Sequence, residues 1–540
     1  MAEPTMFVRR ASGLVRAWSV FDGFIYSFFS VNLITLGLFI FASAPYFPEG
    51  NLITAIIIST IFIIFEVIVY AMLVAIMPRA GGDYVWQSRI LGGGIGFVLS
   101  ITGWGLILWH WVPLYGTMFA YKVATPILGI LGGWTNSSGL VNAAIWLTTR
   151  NGLFLCSLIV IVLASLYVGV GMKWYARIQK VCFFIGIAGI ATMFLMLLAN
   201  TNEAFITAFN TYSTKFFGAG GSNVYEGILA AAAADGYVPQ PVTNLNIRGS
   251  LALIPLVVFF NMWANWGATL YGEVRGASEF KRNFASMFWG LVITGILGVI
   301  MMLLFAKTIG WEFYHAANYT FYEGTSPLAI FPYPGLLTSF LTNNPLLQLW
   351  LVVSLSAMFF GWCGTVFLSS TRVIFAAAFD RVLPEWITHV SAKTRAPINA
   401  LICMAIPSTI VSALNSYMPG FETFTLDTTV VITICYVGTT IAAIILPFKD
   451  KELYNTSPVK HLNVFGVPLI TFAGVIFLAF LAFNLFLWIV DSTYGVNNPV
   501  SAVYMLILYA IALAIYFVSK SIRSKQGIDL NMIHKSIPVE

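Results

Sequence analysis

Long runs of apolar residues recur along the chain, separated by short polar segments. The runs are continuous rather than alternating between apolar and polar positions, and each is about 20 residues or longer, the length that crosses a bilayer as a helix. Twelve runs lie at 20–44, 52–77, 93–122, 152–172, 176–199, 249–271, 284–308, 346–371, 397–416, 428–447, 465–490 and 498–518. Because backbone hydrogen bonds must be satisfied internally in lipid, these runs predict transmembrane helices.

Lysine and arginine residues collect in alternate connections between the apolar runs. If the connections are assigned in turn to two sides of a membrane, beginning with Arg9, Arg10 and Arg16, the first side receives 22 of the 27 basic residues. The residues left for the other side are Lys122, Arg150, Lys215, Arg248 and Lys307. Basic loops stay in the cytoplasm. The pattern therefore predicts a multi-pass protein in the lipid bilayer of the plasma membrane, with both termini cytoplasmic.

Composition narrows the class further. The chain is 59% hydrophobic and 9% charged, whereas a soluble domain carries about 25% charged residues. The net charge of +6 follows from the cytoplasmic loops, so no nucleic-acid partner is expected. The histidines are scattered and the cysteines lie within apolar runs, so neither a metal site nor a cofactor is predicted. An H-E-x-x-H motif or a repeated pore loop, which would indicate a membrane enzyme or a channel, is absent from the sequence.

The order of the apolar runs predicts two blocks of five helices. An odd number of helices inverts the second block relative to the first, and inverted five-helix repeats are a known transporter architecture. The expected fold is all-α and membrane-integral, with twelve transmembrane helices arranged as a 5+5 inverted repeat plus two C-terminal helices. The predicted units are a cytoplasmic tail at 1–19, the first repeat at 20–199, a long extracellular loop at 200–248, the second repeat at 249–447, helices 11 and 12 at 448–518, and a cytoplasmic tail at 519–540.

Three motifs lie at the ends of the apolar runs. Residues 77–84 read M-P-R-A-G-G-D-Y, residues 271–275 read Y-G-E-V-R, and residues 369–384 read S-S-T-R-V-I-F-A-A-A-F-D-R-V-L-P. Together they resemble the amino acid–polyamine–organocation (APC) family of permeases, whose patterns are P-R-A-G-G-x-Y, E-E-x-x-N-P-x-R-N and S-S-R-x-x-x-A-x-A-x-D-x-x-x-P. The resemblance extends over about residues 12–450 and implies a leucine-transporter-like fold.

The resemblance also implies where a substrate binds. In the APC family, spans 1 and 6 are broken near the bilayer centre, and the freed backbone groups hold the carboxylate and amine of an amino acid. The matching stretch of span 1 runs from Ser30 to Phe39, and a break is expected near Gly37. Asn32 and Thr35 offer polar groups to the substrate; alternatively, they bridge packed helices.

Span 6 carries amides between aromatic residues. Asn261, Trp263 and Asn265, preceded by Phe259, suit an unwound segment with aromatic walls, because amides in mid-membrane are costly unless they face partners or water. Trp104 of span 3 is a further candidate for the cavity wall. The alternatives are amides that only join helices and a tryptophan that is simply packed. Aromatic walls with few charges favour neutral substrates.

Two coupling ions remain open. Glu66 in span 2 is a candidate for H+ coupling, or else a neutral acid that is hydrogen bonded to a neighbour. Thr365 and Ser369, one turn apart in span 8, are candidates for Na+ ligands, as in sodium-coupled proteins of the same fold; alternatively, they bond to their own helix. Asp22 and Glu273, at the inner ends of spans 1 and 6, are expected to be gate contacts, with Glu273 paired to a basic loop residue.

The sequence therefore predicts an amino acid permease, a secondary active transporter that moves a small, neutral amino acid across the membrane by alternating access. It does not predict an enzyme. The principal alternative keeps the fold and changes the substrate to another organic amine, a polyamine or a nucleobase. No protein partner is indicated.

Overall fold

The computed structural model describes residues 13–221, 223–239, 242–243 and 246–537, and these residues are almost entirely helical. They include twelve helices that are long and apolar enough to cross a membrane, which confirms the predicted fold class. Of the two predicted tails, residues 1–12 and 538–540 lie outside the described residues.

The twelve spans differ in length more than the apolar runs do, because several helices continue beyond the hydrophobic stretch. They are Val20–Tyr46, Leu52–Ile76, Gly93–Thr135, Arg150–Gly169, Met172–Ala199, Ile247–Glu273, Phe280–Glu323, Pro345–Phe379, Ile398–Tyr417, Asp427–Lys449, Leu469–Val490 and Pro499–Lys525. An even number of spans places both described ends of the chain on one side of the membrane. We call this the terminal side, and the opposite one the far side.

Short elements cover the connections between spans. They are the helices Asp83–Ile90, Ser138–Trp146, Asn202–Phe217, Val224–Ala234, Pro334–Ser339, Lys451–Thr456 and Leu530–Ile533, the 3-10 turns Glu385–Thr388, Phe421–Thr423 and Ser492–Tyr494, and a two-stranded hairpin of Asn463–Val464 with Val467–Pro468. The loop at 200–248 thus contains two helices. Leu530 and Ile533 of the last helix are buried, so part of the predicted C-terminal tail packs onto the protein.

Spans 1 and 8 are the most enclosed helices and span 12 is the most exposed. Small residues allow span 1 to approach its neighbours closely. A Cβ atom on Gly290 of span 7 would lie 2.8 Å from the Ser27 side chain, and one on Gly361 of span 8 would lie 2.2 Å from the Phe29 ring. Close packing around glycine is a usual way for membrane helices to associate. It places span 1 at the centre of the bundle.

Candidate functional site

Span 1 is broken near its middle. An α-helix over Val20–Val31 ends at Asn32, a π-helical turn covers Leu33–Gly37, and an α-helix resumes over Leu38–Ser43. Asn32 has a φ of 38°, in the left-handed region that asparagine tolerates better than most residues. Gly37 keeps a helical φ of −58°. The chain therefore turns at Asn32, five residues before the glycine near which the sequence pattern predicts the break.

The Asn32 side chain stabilises this break. Its Oδ1 accepts a hydrogen bond from the Thr35 N–H at 2.9 Å, and its Nδ2 donates to the Met358 carbonyl of span 8 at 2.7 Å. The Ser30 hydroxyl donates to the Tyr26 carbonyl of its own helix at 2.8 Å. In contrast, the Thr35 hydroxyl is buried without a hydrogen-bond partner. Asn32 acts as a cap between helices, and Thr35 leaves a free polar group at the break.

A buried lysine lies against the same segment. The span 3 helix continues to Thr135, so Lys122 lies within this helix rather than at its end, where the apolar run of the sequence stops. Its side chain is 3% exposed, and its Nζ donates to the Thr35 carbonyl. Within the described residues it forms no ion pair. The break in span 1 therefore carries a buried amine without a counter-charge.

Span 6 is broken at the same level. An α-helix over Ile247–Asn261 ends in a four-residue turn, and a 3-10 helix follows over Trp266–Glu273. The Ser27 hydroxyl of span 1 donates to the Ala264 carbonyl in this turn at 2.7 Å. Ser27 lies in the helix that precedes the span 1 break, and a Cβ atom on Gly37 within the break would lie 3.3 Å from the Phe260 ring of span 6. The two broken spans are thus in direct contact, as a binding site shared between them requires.

The two amides of span 6 have different surroundings. Asn261 accepts a hydrogen bond from Ser59 at 3.1 Å and donates to Thr60 at 3.4 Å, so it joins span 6 to span 2. Asn265 accepts from the Tyr436 hydroxyl at 3.1 Å, but its buried Nδ2 has no partner. An unpaired buried donor is costly, so Asn265 is the amide that is available to a ligand.

Aromatic rings surround the two breaks. Trp111 packs against Trp263 and Trp266, with ring centroids 4.9 and 5.5 Å apart, and Trp104 lies 5.3 Å from Trp266. Tyr436 lies 6.3 Å from Trp104. We call these five residues the tryptophan cluster. Sequence reasoning selected Trp104 and Trp263 but missed Trp111. The missed signal is its spacing, because seven residues after Trp104 is two helical turns along the same face.

On the far side of the two breaks, two phenylalanine rings are in contact. Phe39 of span 1 and Phe259 of span 6 have ring centroids 5.4 Å apart, and Phe259 also lies 5.5 Å from Trp111. A pocket of about 220 Å³ begins beyond them, and its lining includes Ser43 and Thr429. The pocket lies between the broken helices and spans 10 and 11. We call the Phe39–Phe259 contact the far gate.

On the terminal side of the two breaks, a buried ion pair joins span 6 to span 8. The Arg372 guanidinium donates to both carboxylate oxygens of Glu273, at 2.7 and 3.2 Å, and both side chains are at most 1% exposed. We call this pair the terminal gate. Glu273 was predicted to pair with a basic residue in a loop. It does pair with a basic residue, but Arg372 lies in a helix, because the span 8 helix continues to Phe379.

Asp22 reinforces the terminal side. It accepts a hydrogen bond from the Ser19 N–H at 2.8 Å, completing a capping box at the start of span 1, and it pairs with Lys180 of span 5 at 2.8 Å. The Ala17 N–H donates to the Glu273 carbonyl at 2.9 Å. The segment before span 1 is therefore tied to the end of span 6.

The hydroxyls of span 8 are already engaged by tyrosines. The Tyr26 hydroxyl lies 2.7 Å from the Ser369 hydroxyl and donates to the Thr365 carbonyl at 3.0 Å. The Ser369 hydroxyl also lies 3.2 Å from the Trp266 carbonyl, and Tyr115 lies 3.2 Å from the Thr365 hydroxyl. A tyrosine hydroxyl thus occupies the contact between spans 1 and 8, where the sequence offered sodium ligands.

Glu66 lies on the buried face of span 2. Its carboxyl group is inaccessible to solvent, and neither oxygen has a hydrogen-bond partner. The hydrogen bond to a neighbouring group that the sequence left open as an alternative is not formed. One helical turn further along span 2, the Tyr70 hydroxyl donates to a second buried acid, Asp83.

Comparison with known proteins connects this geometry to a family. The sequence profile of the amino acid permease family matches residues 21–517, which is nearly the whole chain. The branched-chain amino acid permease BcaP of Lactococcus lactis is 22% identical over 386 residues, covering 68% of this chain and 70% of BcaP. An uncharacterized transporter of Bacillus subtilis, YdgF, is 30% identical over 150 residues. That alignment spans 28% of this chain and 31% of YdgF.

The family match agrees with the twelve spans and with the resemblance found in the motifs. Transport, rather than catalysis, is the activity that such a family performs, and small amino acids are its substrates. This chain therefore belongs to the amino acid permease family of the APC type, and it is a multi-pass membrane transporter.

Proposed function

We propose that the protein transports a small, neutral amino acid by alternating access between the terminal gate and the far gate. The observation that carries this proposal is the direct contact between the two broken spans, made by Ser27 with the Ala264 carbonyl and by Gly37 with the Phe260 ring. Helix ends and unwound backbone supply N–H and carbonyl groups for the carboxylate and amine of an amino acid. The free Thr35 hydroxyl and Asn265 amide lie on these segments.

The residues that surround the two breaks support a substrate with a neutral side chain. The tryptophan cluster offers apolar surface and indole N–H groups, and it contains no acid or base. Lys122 places an amine at the span 1 break, and in its protonated form this amine would attract a carboxylate and repel a polyamine. BcaP, which covers two thirds of this chain at low identity, is named for branched-chain amino acids.

The proposal includes the orientation of the protein in the membrane and the coupling of transport to an ion gradient. The basic residues of the terminal side support a cytoplasmic position for both termini in the plasma membrane. The two blocks of five spans support an inverted repeat, in which spans 1 and 6 have equivalent places. An inward gradient of an ion would then drive accumulation of the substrate.

The first test is counterflow in liposomes that contain the purified protein. Vesicles loaded with unlabelled leucine should take up radiolabelled leucine, and external valine and isoleucine should compete. Isopentylamine, which has the leucine side chain and amine without the carboxylate, should not compete. Competition by isopentylamine or spermidine would support the organic-amine alternative instead.

A lysine variant tests the binding segment. Lys122→Met should raise KM for leucine by tenfold or more, because a charge-assisted contact to a carboxylate is worth roughly 1.5–3 kcal/mol. Lys307→Met is the matched control. Lys307 also donates to backbone carbonyls, those of Leu197, Leu198 and Asn200, but it lies at the far-side part of span 7. The KM of the Lys307→Met variant for leucine should stay within about twofold of the wild type. Equal effects would show that Lys122 has only a structural role.

A further inference from the structure

A second buried acid, Asp83, lies in the connection after span 2 and accepts a hydrogen bond from Tyr70, which is one helical turn along that span from Glu66. Asp83 begins the helix Asp83–Ile90, directly after the P-R-A-G-G sequence, and is fully buried. Its Oδ1 accepts hydrogen bonds from the Tyr70 hydroxyl at 2.7 Å and from the Thr439 hydroxyl at 2.5 Å, whereas its Oδ2 has no partner. The arrangement brings two carboxyl groups together inside the protein.

The surroundings of the two acids are unequal. The amide of Gln87 donates to the Thr439 oxygen at 2.7 Å, so the Thr439 hydrogen is directed to Asp83. Two hydroxyl donors favour an anionic Asp83. Burial raises the pKa of Asp83 to about 6, and the hydrogen bonds from Thr439 and Tyr70 oppose that rise. Glu66 receives no such donor, so the pair favours a charge on Asp83 and a proton on Glu66.

Among the residues that the structure describes, neither acid forms a salt bridge, although spans 6, 7, 10 and 11 all pack against span 2. The other titratable neighbours are the neutral hydroxyls of Tyr70 and Tyr436 and the thiol of Cys435. Two unpaired negative charges in such a site would be strongly unfavourable. At least one proton is therefore needed when both acids are enclosed.

The pair is connected to the broken part of span 6. Tyr70, which donates to Asp83, packs against Tyr436 with ring centroids 5.6 Å apart. Tyr436 donates to the Oδ1 of Asn265, whose Nδ2 is free. The buried indole N–H of Trp104 also faces Asp83 without a hydrogen bond of its own. Asp83 is thus connected to Tyr436 of the tryptophan cluster by two contacts and to Asn265 by three.

A proton fits this site better than a metal cation. A cation needs several oxygen atoms directed at one point, but the Thr439 and Tyr70 hydroxyls direct their hydrogens to Asp83, and neither carboxyl oxygen of Glu66 has a hydrogen-bond partner among the described residues. The other candidate position, between Thr365 and Ser369, is filled by the Tyr26 hydroxyl.

We propose that Glu66 binds the proton that this transporter carries with its substrate, and that the Asp83 carboxylate, to which Tyr70 and Thr439 donate, sets the affinity for it. Water on one side of the membrane gives up a proton, an O–H bond forms on the Glu66 carboxylate, and the same proton is released to water on the other side. One positive charge then moves with each neutral amino acid. This inference rests on the proposed function and names its coupling ion and site.

The experiment compares two assays on the same liposomes. An inward pH gradient should drive accumulation of labelled leucine above the external concentration in the wild type, and a dye trapped inside should report proton entry with leucine. Glu66→Gln should lose both signals, so that leucine only equilibrates, while counterflow at equal pH is retained. Glu203→Gln, an exposed acid in the helix Asn202–Phe217, is the matched control and should behave as the wild type.

Asp83→Asn supplies a second readout. Removing the anion should make Glu66 ionise at lower pH, so the midpoint of pH-dependent uptake should fall by one unit or more, with counterflow retained. Infrared difference spectra of the purified protein should show a protonated carboxyl band that titrates in the wild type and is missing in Glu66→Gln.

The outcomes separate the two proposals. Unchanged pH-driven accumulation in Glu66→Gln, or wild-type accumulation that requires a sodium gradient, would overturn the proton site and leave the transport function standing. A wild type without counterflow of any amino acid would instead refute the proposed substrate class. The infrared band still tests the protonated carboxyl group in that case, because it needs no substrate, and its absence would overturn the site.

Discussion

The two ends of the transport path are closed by different chemistry. The terminal gate is the buried, bidentate ion pair of Glu273 with Arg372, whereas the far gate is the contact of the Phe39 and Phe259 rings. Opening the terminal gate returns two charges to water, and hydration offsets the lost attraction. Opening the far gate exposes apolar surface to water, which costs about 25 cal/mol for each Å² exposed.

The difference shows how one bundle can favour two closed ends without locking either. An ion pair is specific, because each partner is unfavourable without the other. A ring contact is tolerant, because a neighbouring side chain can fill part of the lost volume. Substitutions should therefore be severe at the terminal gate and graded at the far gate.

The largest effect is expected from breaking the ion pair. Arg372→Met should destabilise the protein by about 3–5 kcal/mol, because it leaves the Glu273 carboxylate buried without a partner. Thermal unfolding in detergent, followed with a thiol-reactive dye, measures the change, since Cys156, Cys363 and Cys435 are buried in the folded state.

A double variant is the control for that result. Arg372→Met combined with Glu273→Gln removes both charges and should recover a large part of the lost stability. If the losses of stability measured for Arg372→Met and Glu273→Gln separately add up to the loss in the double variant, the two residues do not act as one unit. The terminal gate would then lack the specificity that distinguishes it from the far gate.

The next effect belongs to the far gate. Phe259→Ala should cost about 3 kcal/mol, the lower end of the range for a buried phenylalanine, because one face of the ring borders the pocket. It should also accelerate exchange of leucine from the far side in counterflow. A loss of stability equal to that of Arg372→Met, with slower exchange, would contradict the tolerant character of this gate.

The sequence was sufficient to predict the number and the order of the transmembrane helices. Apolar runs report directly on burial in lipid, so the twelve spans follow from length and hydrophobicity alone. Their ends follow less well, because a helix does not stop where hydrophobicity stops. Arg372 was placed after the end of span 8 and Lys122 at the end of span 3 for this reason, although each lies within a longer helix and is buried.

The site was harder to derive, because its parts are distant in sequence. Asn32 and Asn265 are recognisable as polar residues in apolar runs, but their different roles depend on contacts with Met358 and Tyr436. Asp83 was recognised only as part of a motif. Its proximity to Glu66 arises from the return of the helix after the paired glycines, which spacing does not reveal.

A smaller effect is expected from the second contact of the terminal side. Asp22→Asn should cost about 1–2 kcal/mol, because it removes both a capping carboxylate and an ion pair. Lys180→Met is the matched control, since it removes the ion pair and keeps the cap. Lys180 is 38% exposed, so its effect should be below about 1 kcal/mol and should shrink in high salt. Equal losses for the two variants would assign the whole effect to the ion pair.

The smallest effect is expected from Phe39→Leu, which tests the tolerance of the far gate directly. Leucine keeps most of the volume, and the ring is only partly buried beside the pocket, so the loss of stability should be about 0.5–1 kcal/mol. The terminal gate does not contact Phe39, and a proton gradient should therefore still drive accumulation. The expected change is a modest rise in the rate at which leucine exchanges from the far side, smaller than in Phe259→Ala, because Trp111 still packs against the remaining ring. If Phe39→Leu abolished accumulation while leaving unfolding unchanged, the ring would be a specific substrate contact, and the far gate would resemble the terminal gate in depending on one exact partner.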